Sequence, residues 1–133
     1  MLDKNVFWLI RYEDFEEHFK LFKKNIELDH SKNITRIKLI GLFVTTFEFG
    51  LKLMKDYLKS IGYVKRTLNQ GIERVVRDKN VWQEVLKDRK IFLTIKDDKQ
   101  SLEVVKKIKQ QYYKEFEYFY NIMKKKAHEL EIK

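Results

Sequence analysis

The chain has no cysteine, no proline and only four glycines in 133 residues. Without cysteine, disulfides and thiolate metal sites are excluded, and the redox compartment stays open. With so little proline and glycine, few tight turns are expected and long periodic runs go uninterrupted. No apolar run reaches the roughly 18 residues of a membrane span. The opening MLDKNVFWLIRYED lacks a sufficient apolar core and a small-residue cleavage site, so no signal peptide is expected. A cytoplasmic protein without a membrane partner is the default.

What is present is aromatic and basic. The 14% aromatic content argues against disorder. The formal charge of +9 admits two readings. One is a polyanion partner, such as RNA or an acidic protein face. The other is a lysine-rich solvated surface, since the lysines are spread over every segment.

The length fits one domain, residues 1–133, with a real core. Ile37, Ile40, Val44, Phe47, Leu51, Met54, Leu58 and Ile61 recur at spacings of three and four, the seam of a long amphipathic helix. Gly62 follows where a left-handed C-terminal cap is wanted. Trp8, Tyr12, Phe15, Phe19, Phe22 and Ile26 form an earlier stripe, with Asp3 as a cap, and the acidic run from Glu13 to Glu17 reads as a solvated face. Residues 28–33 are polar enough to connect the two as an antiparallel hairpin. Thr67 with Gln70 reads as a capping box for a short helix through Ile72, Val75 and Val76, and Asn80 with Gln83 as another through Val81, Trp82, Val85 and Leu86. Residues 89–99 lose the period, as a helix end followed by a loop. Asp97 then caps a last long helix through Leu102, Val105, Ile108, Tyr112, Phe116, Phe119 and Met123, which fades into a lysine run and a polar tail. The prediction is all-α, an antiparallel up-and-down bundle of four to five helices. Tyr112, Tyr113, Tyr118 and Tyr120 lie on several faces of that last helix, which predicts a homodimer interface.

The usual signatures of chemistry are missing. There is no HExxH, P-loop or GxGxxG. His18, His30 and His128 are far apart and none has a second histidine at i+4, so solvated or structural roles are expected, with no metal site and no cofactor. No glycine-serine loop precedes an aspartate pair, as a metal-dependent nucleotidyltransferase would need.

Two segments carry a resemblance. Residues 43–58 (FVTTFEFGLKLMKDYL), through Phe43, Thr46, Phe47, Glu48, Lys52, Lys55, Asp56, Tyr57 and Leu58, resemble the long helix of the nucleotidyltransferase substrate-binding proteins of the HEPN superfamily. Residues 82–89 (WQEVLKDR), followed by an aromatic-rich terminal helix, match that family's order of elements, so most of the chain is covered. The resemblance implies a helical bundle, usually dimeric, that pairs with a small separate nucleotidyltransferase. Many such pairs act as toxin and antitoxin, the HEPN member being a metal-independent ribonuclease. Its motif is an arginine, a polar residue, a histidine after four intervening residues and a tyrosine two further on.

This chain keeps Arg89 but has Lys90 at the polar position, Thr94 at the histidine position and Lys96 at the tyrosine position. Threonine cannot do acid–base work near neutral pH. Arg89 is thus a remnant of the catalytic motif, or a structural arginine paired with Asp88 or Glu84. The leading reading is a non-catalytic partner that meets a minimal nucleotidyltransferase, or presents its substrate, through Glu48, Lys52, Lys55, Asp88, Arg89 and Lys90. The alternatives are a ribonuclease with a degenerate motif and an RNA-binding or structural helical dimer.

Overall fold

A computed structural model describes residues 4–131. Lys4–Ile26 form α1 and Asn33–Ser60 form α2. A short α3, Leu68–Gly71, lies between 3-10 turns at Lys65–Thr67 and Ile72–Arg74. Lys79–Phe92 form α4, Asp98–Lys107 form α5 and Tyr113–Glu131 form α6. A π turn, Ile108–Tyr112, joins α5 to α6 without a break. No strand occurs among the described residues, and the all-α bundle is the observed fold. The expected cap at Asp3 lies outside the described residues.

Contacts define the directions. Phe22 of α1 meets Phe43 of α2, while Trp8 meets Tyr57, so the two helices are antiparallel as the short connection required. Arg36 of α2 reaches Ser101 of α5, and Phe47 reaches Phe116 of α6, so α2 and the last long helix run parallel. The buried face of α2 is wider than the seam read from sequence. Ile40, Val44, Phe47, Met54 and Leu58 are buried, Ile37 and Leu51 are half-buried, and Ile61 is exposed beyond the helix end. Leu39, Phe43, Thr46, Gly50, Leu53 and Tyr57 are buried as well, because α2 has neighbours on both sides. At Gly50 a Cβ would stand 3.2 Å from a ring carbon of Phe15 and 3.7 Å from one of Phe119. The missing side chain lets the rings of α1 and α6 close over α2.

Helix ends follow sequence unevenly. Gly62 has φ +108°, the Gly62 N–H donates to the Lys59 carbonyl and the Tyr63 N–H to the Leu58 carbonyl, which is the expected glycine cap. Asp97 caps α5 through the Lys99 N–H at 2.9 Å. At α4 the cap is Asp78, not Asn80: the aspartate is extended and its carboxylate accepts from the Asn80 N–H at 3.0 Å. Thr67 does not cap α3; its hydroxyl binds both backbone groups of Val64, so the chain turns as 3-10 helix first. The short helix stops before Val75 and Val76, which are nevertheless buried. On α5 Leu102 is exposed and Ser101 takes the inward position, while α6 continues through the lysine run with Ala127 buried.

Polar groups pin the bundle at three places. The Glu16 carboxylate accepts from the hydroxyls of Tyr12 and Tyr120, each at 2.7 Å, tying α1 to α6. Burial pushes the Glu16 carboxyl up, but the two hydroxyls, with Lys20 and Lys124, more than offset this and hold it below its usual range. Burial, reinforced by Glu16, pushes Tyr120 up to about 12. Buried Glu115 accepts from Arg77 Nε at 2.8 Å. The third pin is Arg36, which is buried on α2. Its Nε donates to Ser101 Oγ at 2.8 Å, its Nη1 to the carbonyls of His30 and Ser31 at 3.0 Å each, and its Nη2 to Asp98 Oδ1 at 2.5 Å. One guanidinium thus holds the α1–α2 connection against the start of α5.

Candidate functional site

Glu48, Lys52 and Lys55 follow one another on α2 at spacings of four and three, which places them on one side of the helix. Lys52 and Lys55 are exposed, and the Lys52 ammonium sits 5.4 Å above the Phe49 ring. Arg89 stands in the last turn of α4. Its Nε lies 2.8 Å from Glu48 Oε1 as an ion pair, and its Nη1 donates to the Leu86 carbonyl at 3.4 Å. The two side chains are 25% and 42% exposed, so the pair is screened and contributes less than about 1 kcal/mol. Its chemical consequence is larger than its energy, because the retained arginine already has a carboxylate.

The partner is not the one expected from sequence. Glu84 turns the other way, accepting from the Tyr112 hydroxyl at 3.2 Å with Lys107 Nζ at 3.6 Å. Asp88 also faces Tyr112, and burial together with Glu84 and Asp88 pushes that phenol up. Lys90 is exposed.

The motif positions come apart in space. Thr94 is exposed after α4, and its hydroxyl donates back to the Ile91 carbonyl at 2.7 Å. Lys96 follows, and its carbonyl accepts from the Asn33 side chain at 2.8 Å, at the first residue of α2. Asn33 and Glu48 are about four turns apart, roughly 22 Å at about 1.5 Å per residue. Arg89 and the Lys96 backbone are thereby anchored at separate levels of α2. The buried Phe92 and Ile95 explain the direction of the chain here: both side chains go inward and leave Thr94 outside.

The histidines sit elsewhere. His18 stacks on Phe49 at 4.1 Å and its Nδ1 faces the Asp14 carbonyl at 2.8 Å. His30 is buried in the α1–α2 connection, where neither ring nitrogen has a partner of good hydrogen-bond geometry. Burial, helped by Lys109, keeps its pKa below the ordinary histidine value. His128 is exposed on α6. Among the described residues no histidine is a hydrogen-bond or ion-pair partner of Arg89.

Sequence reading missed two features. The Glu48–Arg89 pair links helices distant in sequence, and nothing local signals it. Arg36 carried a readable sign: it stands four residues before Ile40 on the apolar stripe, where a charge must be buried with partners.

A helical bundle in which the middle of one helix meets the end of another through Glu48 and Arg89 is a small all-α protein with a charged surface patch. Its family is narrower. The chain belongs to the family described as nucleotidyltransferase substrate binding protein like, which matches residues 10–125. Neither a curated protein nor a solved structure gave a significant match. No described helix is long and apolar enough to cross a membrane.

Proposed function

We propose that the protein is a non-catalytic HEPN-type partner of a minimal nucleotidyltransferase, acting in the cytoplasm and descended from a toxin–antitoxin pair. Family membership supports the kind of partner. The observation that carries the non-catalytic part is the Glu48–Arg89 pair, together with an outward Thr94 whose hydroxyl is turned back to the Ile91 carbonyl. Cleavage through a ribose 2′-hydroxyl needs a base for its proton and an acid for the leaving oxygen, and losing a positioned acid–base group costs about 10²–10⁴ in rate. Arginine stays protonated and exposed lysines are poor bases.

The expected result is no cleavage of a mixed RNA substrate, and co-purification with a small nucleotidyltransferase encoded beside this chain. Cleavage by the unmodified protein that disappears in Arg89→Ala would restore the ribonuclease reading. Cleavage appearing only in Thr94→His would mark an inherited, disarmed site. RNA binding without cleavage or co-purification would favour the RNA-binding reading.

A homodimer is part of this proposal, on altered grounds. Tyr112 and Tyr120 are buried in the monomer and Tyr113 is half-buried, leaving Tyr118 as the exposed one of the four. Phe7, Ile10 and Leu21 of α1 instead leave about half of their surface exposed. Equilibrium sedimentation is expected to show a dimer; monomer alone at tens of micromolar, an order of magnitude at which a tight dimer persists, removes the idea.

A further inference from the structure

Beside the Glu48–Arg89 pair, α2, the short-helix connection and α4 enclose an apolar groove. Its floor is Leu51, Met54 and Leu58 of α2, Leu68 and Ile72 of the connection, and Leu86 of α4. The larger part measures about 260 Å³. Leu51 stands one turn after Glu48 and Leu86 one turn before Arg89, so the groove opens off the ion pair. Leu86 is 45% exposed, and Leu51, Leu68 and Ile72 are half-buried.

The rim carries one sign of charge. Lys55, Lys65, Arg66 and Lys79 border the groove, and no carboxylate lines it. Among the described residues none of these four has an ion-pair partner, whereas Arg11, Arg36, Arg77 and Arg89 are each paired with a carboxylate. Uncompensated cations are thus gathered around uncovered aliphatic surface. The floor offers no platform for a nucleobase. Trp82 borders it but is buried, with its ring against Phe47, Phe116 and Phe119. Single-stranded nucleic acid is held by stacking on open aromatic faces, and this groove has none.

We propose that the groove docks an amphipathic helix of a partner protein, with leucine-type anchors on one face and aspartate or glutamate flanking them. The anchors gain from burial against Leu51, Ile72 and Leu86. The flanking carboxylates meet the four cations, which set orientation and favour acidic partners over basic ones. The assignment rests on the reading of this protein as a binding partner and names the contact it uses.

The test uses the full chain and a fluorescein-labelled synthetic peptide of about 16 residues, long enough to be helical, with leucines on one face and glutamates elsewhere. Two controls are a scrambled peptide of the same composition and a version with lysine in place of glutamate. In fluorescence anisotropy at physiological salt the first peptide is expected to bind at least about tenfold more tightly than either control. Leu86→Glu, or Lys55→Glu with Arg66→Glu, should weaken it by a similar factor; these side chains are exposed, and circular dichroism checks that the variants fold. Amide shifts in two-dimensional NMR should cluster at Leu51, Ile72 and Leu86. Equal binding of the scrambled peptide, indifference to Leu86→Glu, or shifts elsewhere would overturn the proposal. So would a short RNA that moves the groove signals while the peptide does not. Since no nucleotidyltransferase is present, failure here leaves a co-purifying enzyme as a partner at some other surface, and peptide binding stands even if no enzyme co-purifies.

Discussion

Phe47→Ala is expected to lower the free energy of unfolding by about 3–5 kcal/mol. Phe47 is fully buried near the middle of α2. Its ring centroid lies 5.5 Å from that of Trp82 and 6.1 Å from that of Phe116. Those rings are themselves buried and packed on others, so they cannot swing in to refill the space. The loss therefore combines the transfer term of the removed ring with that of a cavity left open. Urea denaturation followed by circular dichroism measures it. A loss under about 1 kcal/mol, well outside the range for a buried phenylalanine, would mean that α2 turns another face to the core.

Arg36→Leu is expected to cost about 2–4 kcal/mol, from buried acceptors left without donors. The leucine restores much of the apolar volume but donates nothing to the His30 and Ser31 carbonyls or to Ser101. Asp98→Asn serves as the internal comparison. The Asp98 side chain is 73% exposed, so its loss should cost less than about 1 kcal/mol. A loss from Asp98→Asn as large as that from Arg36→Leu would show that the ion pair, and not the gathering of carbonyls, holds this end of the bundle.

Legibility in the sequence tracked the range of the interaction. The α1 stripe from Trp8 to Phe22 and the Gly62 cap were readable, because helical period and capping are local. The all-α bundle followed from the same periods and from the scarcity of turn residues. The width of the α2 core was not readable. Leu39, Phe43, Leu53 and Tyr57 become core only because helices from both ends of the chain settle on α2. The exchange of Leu102 for Ser101 has a similar cause: a serine goes inward because Arg36 and Asn33 are waiting for it. The candidate site was legible only as single positions. Of the candidate positions Glu48, Lys52, Lys55, Asp88, Arg89 and Lys90, named from the family pattern, the structure brings Glu48 and Arg89 into contact. That Glu48 would close on Arg89 depends on how α4 lies across α2, and no spacing in the sequence encodes that.

The walls of the apolar groove differ in how firmly they are held. On one side is α2, locked between its neighbours. On the other is the connection through residues 61–78, in which only Gly71, Val75 and Val76 are buried. Segments with few buried contacts open locally at a lower free energy than the core does. The groove thus has one wall that is locked in the core and one that is held chiefly at Gly71, Val75, Val76 and the Arg77–Glu115 pair. Amide hydrogens along this connection are expected to exchange with solvent ahead of those in α2, and an occupant of the groove is expected to slow that exchange.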